Sequence, residues 1–163
     1  MTSESANVYL RTKVLTASPE QLRLMLLEGA IRFTRQGRDG LVSKDFESVY
    51  QGFSKCRNIL VELMTSVRPD LDANLRANVT ALYTFLYTQL TEASFEKDLA
   101  KTDKVLELLE FERETWVMAM QKAADERRQT SGEIALADQP EVSPVVSGMS
   151  SAPEARAPLS VQG

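Results

Sequence analysis

Apolar residues recur every three or four positions along most of the first 128 residues, and the strict alternation of a β-strand is nowhere sustained. This period is typical of amphipathic α-helices. Four helices are predicted, at about residues 19–41, 45–67, 72–93 and 98–128. Ser18, Pro19 and Gln21 form a capping-box sequence before the first helix. The N-cap candidates of the later helices are Ser43 or Asp45, Asp70 or Asp72, and Glu96 or Asp98.

The short connections predict that successive helices pack antiparallel. We therefore expect an all-α fold, an antiparallel up-down four-helix bundle over residues 18–128. Residues 1–17 are expected to be a short, flexible N-terminal segment. Residues 129–163 hold four of the six prolines and no aromatic residue, and they are predicted to be a disordered acidic tail. Gly37 and Gly40 are expected to loosen the end of the first helix.

Each predicted helix carries an apolar line that suits the core of a bundle. In chain order these lines are Leu22, Met25, Leu26, Gly29 and Phe33; Phe46, Val49, Tyr50, Phe53, Leu60, Leu63, Met64 and Val67; Leu75, Val79, Leu82, Leu86 and Leu90; and Leu99, Thr102, Leu106, Leu109, Trp116 and Met120.

Further apolar residues lie off these lines. On a helical wheel they form a second line in the first helix and another in the fourth, and two tyrosines lie beside the core line of the third. These residues are Leu24, Leu27 and Ile31; Leu108, Phe111 and Met118; and Tyr83 and Tyr87. A symmetric four-helix core has no place for second lines. Either an asymmetric bundle or self-association buries them, or they form a surface groove for an amphipathic partner helix.

Composition argues against several classes of function. The net charge of -4 and the pI of about 5.0 do not favour binding to nucleic acid. The chain has no histidine, one cysteine and no glycine-rich phosphate loop, so we expect no metal, no cofactor and no enzyme activity. A carboxylate site on Glu62 and Glu92 is the remaining enzymatic alternative, although both are expected to face solvent. With no secretion signal and no apolar run long enough to insert into a membrane, the expected location is the cytoplasm.

Several runs stand in a specific order and spacing between about Asn7 and Gln121. They are Asn7-Val8-Tyr9, VLTASPEQL from Val14 to Leu22, MLLEGAIRF from Met25 to Phe33, KCRNILVEL from Lys55 to Leu63, Asn78 with ALY at 81–83 and LTEA at 90–93, and Val105 to Trp116. Together these runs resemble the FliS family of flagellar secretion chaperones. Leu27-Glu28 departs from the Tyr-Asp that is more frequent in the family, so position 27 has no hydroxyl for a partner.

The resemblance implies a cytoplasmic chaperone with two kinds of partner, the C-terminal segment of flagellin and the flagellar export machinery. Such a protein binds its client one-to-one, prevents premature polymerisation and delivers it for secretion. Tyr9 is then a candidate to cover an empty client groove, with simple packing at the bundle end as the alternative. Two alternatives stay open at this point. The client-free chain could form a weak homodimer, and the protein could instead be a helical adaptor or oligomerisation protein with a different client.

Overall fold

The computed structural model describes the backbone of residues 3–137 and the side chains of residues 4–131. All regular structure in this part of the chain is α-helical, which confirms the all-α class. The five helices are α1 (Ser3–Thr16), α2 (Pro19–Ser43), α3 (Phe46–Thr65), α4 (Ala73–Glu96) and α5 (Leu99–Ala137). Residues 1–127 form one compact unit, and the packing contacts given below lie within it.

Local capping signals set the start of each helix from α2 onwards. At α2 the capping box is complete, because the Gln21 amide donates to the Ser18 hydroxyl and the Ser18 amide donates to the Gln21 side chain. The later helices begin after aspartates whose carboxylates accept hydrogen bonds from amides of the first turn: Asp45, Asp72 and Asp98. These three aspartates were among the predicted N-caps.

The chain ends differ from the sequence expectation. The N-terminal segment expected at residues 1–17 has helical backbone over Ser3–Thr16. The side chains described in α1 are exposed. At the other end α5 continues past residue 128 to Ala137, so the first part of the expected tail is helical. Residues 138–163, where the rest of that tail was expected, lie outside the described residues.

Glycines bring α2 and α3 into close contact. A Cβ added at Gly37 would overlap the ring of the fully buried Phe53. One added at Gly52 would lie 2.7 Å from the Gly37 nitrogen and from the Phe33 carbonyl oxygen. A Cβ added at Gly40 would lie 2.8 Å from the Asp45 carbonyl oxygen and 2.9 Å from the Val49 nitrogen in the first turn of α3. The expectation that Gly37 and Gly40 loosen the helix end is therefore wrong, because their missing side chains allow the two backbones to approach.

Contacts between neighbouring helices show their relative directions. Between α2 and α3, and between α2 and α5, residue numbers rise along one helix as they fall along the other. The α2–α3 contacts are Gly29–Ile59, Thr34–Cys56 and Gly37–Phe53, and the α2–α5 contacts are Glu20–Trp116, Glu28–Arg113, Arg35–Glu110 and Arg38–Asp103. The same order holds for α3–α4 and α4–α5, through Met64–Thr84, Arg57–Tyr87, Tyr83–Glu112 and Glu92–Lys101. Each of these pairs runs antiparallel.

The core contains eight of the predicted core residues of α3, α4 and α5 as buried residues, and it corrects the prediction for α2. Predicted residues that are buried are Val49, Phe53, Leu60, Leu63, Leu86, Leu90, Thr102 and Leu109. Five further predicted residues pack half-buried against the core: Met64, Val79, Leu82, Leu106 and Trp116. On α2, however, the buried residues include Leu27, Ala30, Ile31 and Thr34. Predicted core residues that are instead exposed are Leu22, Phe46, Tyr50, Leu75 and Leu99.

Candidate partner-binding surface

The structure divides the predicted partner-binding residues into three groups by their exposure. Leu27, Ile31 and Tyr83 are buried in the core, so they do not form an exposed groove in the free chain. Leu24 and Leu108 are half-buried. The exposed members are Tyr9 at 66%, Phe111 at 68%, Met118 at 63% and Tyr87 at 38%.

The burial of Leu27 and Ile31 follows from the position of α2. This helix contacts α3 on one side and α5 on the other. A helix with two neighbours needs a wide apolar arc, and both apolar lines of α2 are used to fill it. Leu26 and Phe33 pack half-buried against the core, while Leu27 and Ile31 are fully inside it.

Tyr83 belongs to an internal polar network that joins three helices. The Arg23 guanidinium donates to the Tyr83 hydroxyl at 2.8 Å, and this hydroxyl donates to the Glu112 carboxylate at 3.0 Å. Arg23 also stacks on the rings of Tyr83 and Trp116, and the Trp116 indole donates to the Glu20 carbonyl. Burial raises the pKa of Tyr83 well above its ordinary value. The Tyr83 hydroxyl is thus engaged within the protein rather than offered to a partner.

The outer face of α4 is a candidate surface that the sequence analysis missed. Between Arg76 and Glu92 this helix has no charged residue, although much of it is exposed. Exposed residues follow one another at alternating intervals of four and three, which places them on a single face: Ala77, Ala81, Thr84, Thr88, Thr91 and Phe95. A solvent-facing helix surface normally carries charged side chains.

The threonines of α4 make this face more apolar than their hydroxyl groups would suggest. The hydroxyls of Thr80, Thr84, Thr88 and Thr91 each donate to the backbone carbonyl four residues earlier, at 2.8–3.0 Å. Since these hydroxyls are satisfied within the helix, their methyl groups remain for contact with a partner. Together with Ala77 and Ala81, they give α4 a shallow and nearly uncharged outer surface.

The register of α4 against α5 places apolar side chains of α5 level with this face. The contacts Glu92–Lys101 and Tyr83–Glu112 fix the register of α4 against α5, and they place Phe85 level with Leu108 and Phe111. Phe85 is itself exposed. Phe111 and Met118 are seven residues apart on the side of α5 away from the core. We call Ala77, Ala81, Thr84, Phe85 and Thr88, with Phe111 and Met118, the α4–α5 surface.

The comparison with known proteins identifies the family. A family model described as "Flagellar protein FliS" matches residues 1–123. The chain belongs to the FliS family. It is also similar to the flagellar secretion chaperone FliS of Bacillus subtilis (strain 168), with 27% identity over 124 residues, which cover 76% of this chain and 92% of the relative. The family resemblance read from the sequence is confirmed.

In this FliS chain the N-terminal helix carries several large exposed apolar side chains. These are Val8, Tyr9, Leu10, Val14 and Leu15. Tyr9 lies on this exposed helix, and α1 lies within the part matched by the FliS model.

The described part of this FliS chain has no cluster of three or more His, Cys, Asp or Glu residues suited to a metal ion. Glu62 is exposed, and Glu92 forms an ion pair with Lys101. Cys56 is buried against the Thr34 hydroxyl, and burial raises the pKa of its thiol to about 11, which disfavours the reactive thiolate. Among the described residues no helix is long and apolar enough to cross a membrane.

Proposed function

We propose that this protein is a cytoplasmic export chaperone. It binds the C-terminal segment of flagellin, prevents its premature polymerisation and delivers it to the flagellar secretion apparatus. The observation that carries the proposal is the FliS family match over residues 1–123. The name of the Bacillus relative, a flagellar secretion chaperone, supports it.

The scaffold for this role is an up-down four-helix bundle of α2 to α5. The antiparallel contacts of α2 with α3 and with α5 support this arrangement, and so do the contacts of α4 with its neighbours. In such a bundle the helix surfaces are rigid, so a client adapts its conformation to a preformed shape.

The client is proposed to lie on the α4–α5 surface. A segment that packs inside a filament exposes apolar side chains when it is alone, and it must be covered to stay unaggregated. The face of α4 from Ala77 to Thr88 suits such a segment because it presents methyl groups and no charge that binding would desolvate. Phe85, Phe111 and Met118 supply larger apolar contacts along the same region.

The remaining predicted residues take more limited parts in this proposal. Tyr87 borders the α4 face on the side of α3. Leu24 and Leu108 are half-buried and contribute at most the edges of their side chains. Tyr9 on α1 supplies an exposed aromatic contact. Leu27, Ile31 and Tyr83 support the surface from within the core.

Calorimetric titration with a flagellin C-terminal segment tests the surface. In Ala81→Asp the new carboxylate faces water in the free protein but must lose its hydration under an apolar client, so we expect binding weaker by at least about tenfold. Val42→Asp is the control, because it adds the same charge at an exposed position of α2 outside the α4–α5 surface. Equal affinities for the two variants would place the client elsewhere, and binding to other proteins but not to flagellin would favour a helical adaptor.

A further inference from the structure

The boundary between α3 and α4 has an apolar surface with one cation in its middle. Its α3 side consists of residues at intervals of four, three and four, which share one helix face: Tyr50, Ser54, Arg57 and Val61. Tyr50 is 68% exposed and Val61 is 44% exposed. On the α4 side Tyr87 is partly exposed, and its ring lies 5.9 Å from the Arg57 guanidinium carbon. We call these five residues the Arg57 seam.

Arg57 differs from the other half-buried arginines described in the protein. Arg23 has Glu112 within 3.8 Å, and Arg38 has Asp103 as a hydrogen-bonded partner. Arg57 instead donates to the neutral Ser54 hydroxyl at 3.3 Å, and among residues 4–131 no carboxylate lies within ion-pair distance of it. Several of its guanidinium N–H groups therefore have no anionic acceptor.

A half-buried guanidinium held against an aromatic ring is suited to bind a carboxylate. The planar fork of N–H donors matches the two carboxylate oxygens, and stacking on Tyr87 limits the motion of the side chain before a ligand arrives. The flanking Tyr50 and Val61 offer apolar contacts on both sides of the charge. A single charged position within an apolar seam is also a common way to fix the register of a partner helix.

We propose that Arg57 binds an acidic side chain of the client segment, an aspartate or glutamate between apolar residues that contact Tyr50 and Val61. This inference rests on the proposed function and extends the client contact from the α4 face to α3. The position of Arg57 favours an internal side chain over the terminal carboxylate of the client. Apolar residues continue along α3 in both directions from Arg57, so a chain that ended there would leave half of the seam uncovered.

The test compares Arg57→Gln with Arg32→Gln by calorimetric titration with the flagellin C-terminal segment. Arg32 is an exposed arginine of α2 that stacks on Phe33, so both variants lose one positive charge. Loss of a charge-assisted hydrogen bond predicts binding about tenfold weaker for Arg57→Gln, and nearly unchanged for Arg32→Gln. Arg57→Lys, which keeps the charge but not the fork, is expected to lie between the wild type and Arg57→Gln. Circular dichroism melting checks that each variant is folded.

Changes in the client identify the carboxylate. Each acidic residue of the segment is replaced by its amide, and one replacement is expected to weaken wild-type binding but not the already weakened binding of Arg57→Gln. A segment with an amidated C-terminus is expected to bind the wild type normally. If amidation alone removes the difference between wild type and Arg57→Gln, the terminal carboxylate is the ligand and the proposal is overturned. Equal binding by Arg57→Gln and Arg32→Gln also overturns it, whereas a wild type that binds no segment removes the proposed function itself.

Discussion

Replacement of Gly37 by alanine tests how closely α2 and α3 pack. The new methyl group would overlap three carbons of the Phe53 ring, the farthest of them only 3.0 Å away. Phe53 is fully buried, and its neighbours leave it little freedom to move. The side chain that must yield is therefore a rigid ring inside the core.

Two opposing effects determine the magnitude. Alanine in place of glycine stabilises a helix interior by up to about 1 kcal/mol. Overpacking of a dense core costs about 1–3 kcal/mol. Because the clash is with a buried ring, we expect the second effect to dominate and Gly37→Ala to lower the free energy of unfolding by about 1–2 kcal/mol.

Gly29→Ala is the matched control, since it makes the same change on the same helix. Its methyl group would lie 3.2 Å from the terminal carbon of Ile59, a flexible end that can shift. This variant is expected to be neutral or slightly more stable than the wild type. Urea unfolding followed by circular dichroism measures both. If Gly37→Ala is as stable as Gly29→Ala, the reasoning about close helix contact is refuted.

Three further predictions concern capping, the core and the buried thiol. Ser18→Ala should lower the free energy of unfolding by about 1 kcal/mol in urea melts. Ile31→Asp should unfold the protein, as seen by circular dichroism, because its carboxylate has no water in the core, whereas Phe111→Asp should stay folded. Since burial raises the pKa of the Cys56 thiol, the unfolded chain loses this proton at lower pH than the folded chain. Stability should therefore fall from about pH 9 to 11, more steeply than in Cys56→Ala. The capping argument is contradicted if Ser18→Ala leaves the free energy of unfolding unchanged. The core argument is contradicted if Ile31→Asp stays folded. The thiol argument is contradicted if the wild type and Cys56→Ala lose stability equally with rising pH.

The sequence predicted where the helices begin and end better than it predicted which side of each helix faces the core. Apolar period and capping residues located α2 to α5 because both signals are local. On α2, however, two apolar lines lie side by side, and the sequence does not show which of them faces the core. Ile31 was therefore assigned to the surface although it is 6% exposed. Gly37 was interpreted as a helix-weakening residue for the same reason, since its contact with Phe53 forms only when α3 packs against α2.

The candidate surface was predictable only in part. Phe111 and Met118 were identified from their position off the core line, and both are exposed. The absence of charge from Ala77 to Thr91 was visible in the sequence and was the signal that identifies the α4 face. The network of Tyr83 with Arg23 and Glu112 was not visible, because these residues are 60 and 29 positions apart.

The most direct measurement of the central claim is the titration of the wild-type protein with the isolated C-terminal segment of flagellin, with hydrogen exchange followed in the same complex. We expect one client segment per chain, and slower amide exchange along α4 and around Phe111 and Met118 on α5. A flagellin fragment that lacks the C-terminal segment is the control and is expected not to bind. No heat of binding with the full segment would contradict the chaperone function, and binding without slower exchange on α4 would contradict the proposed surface.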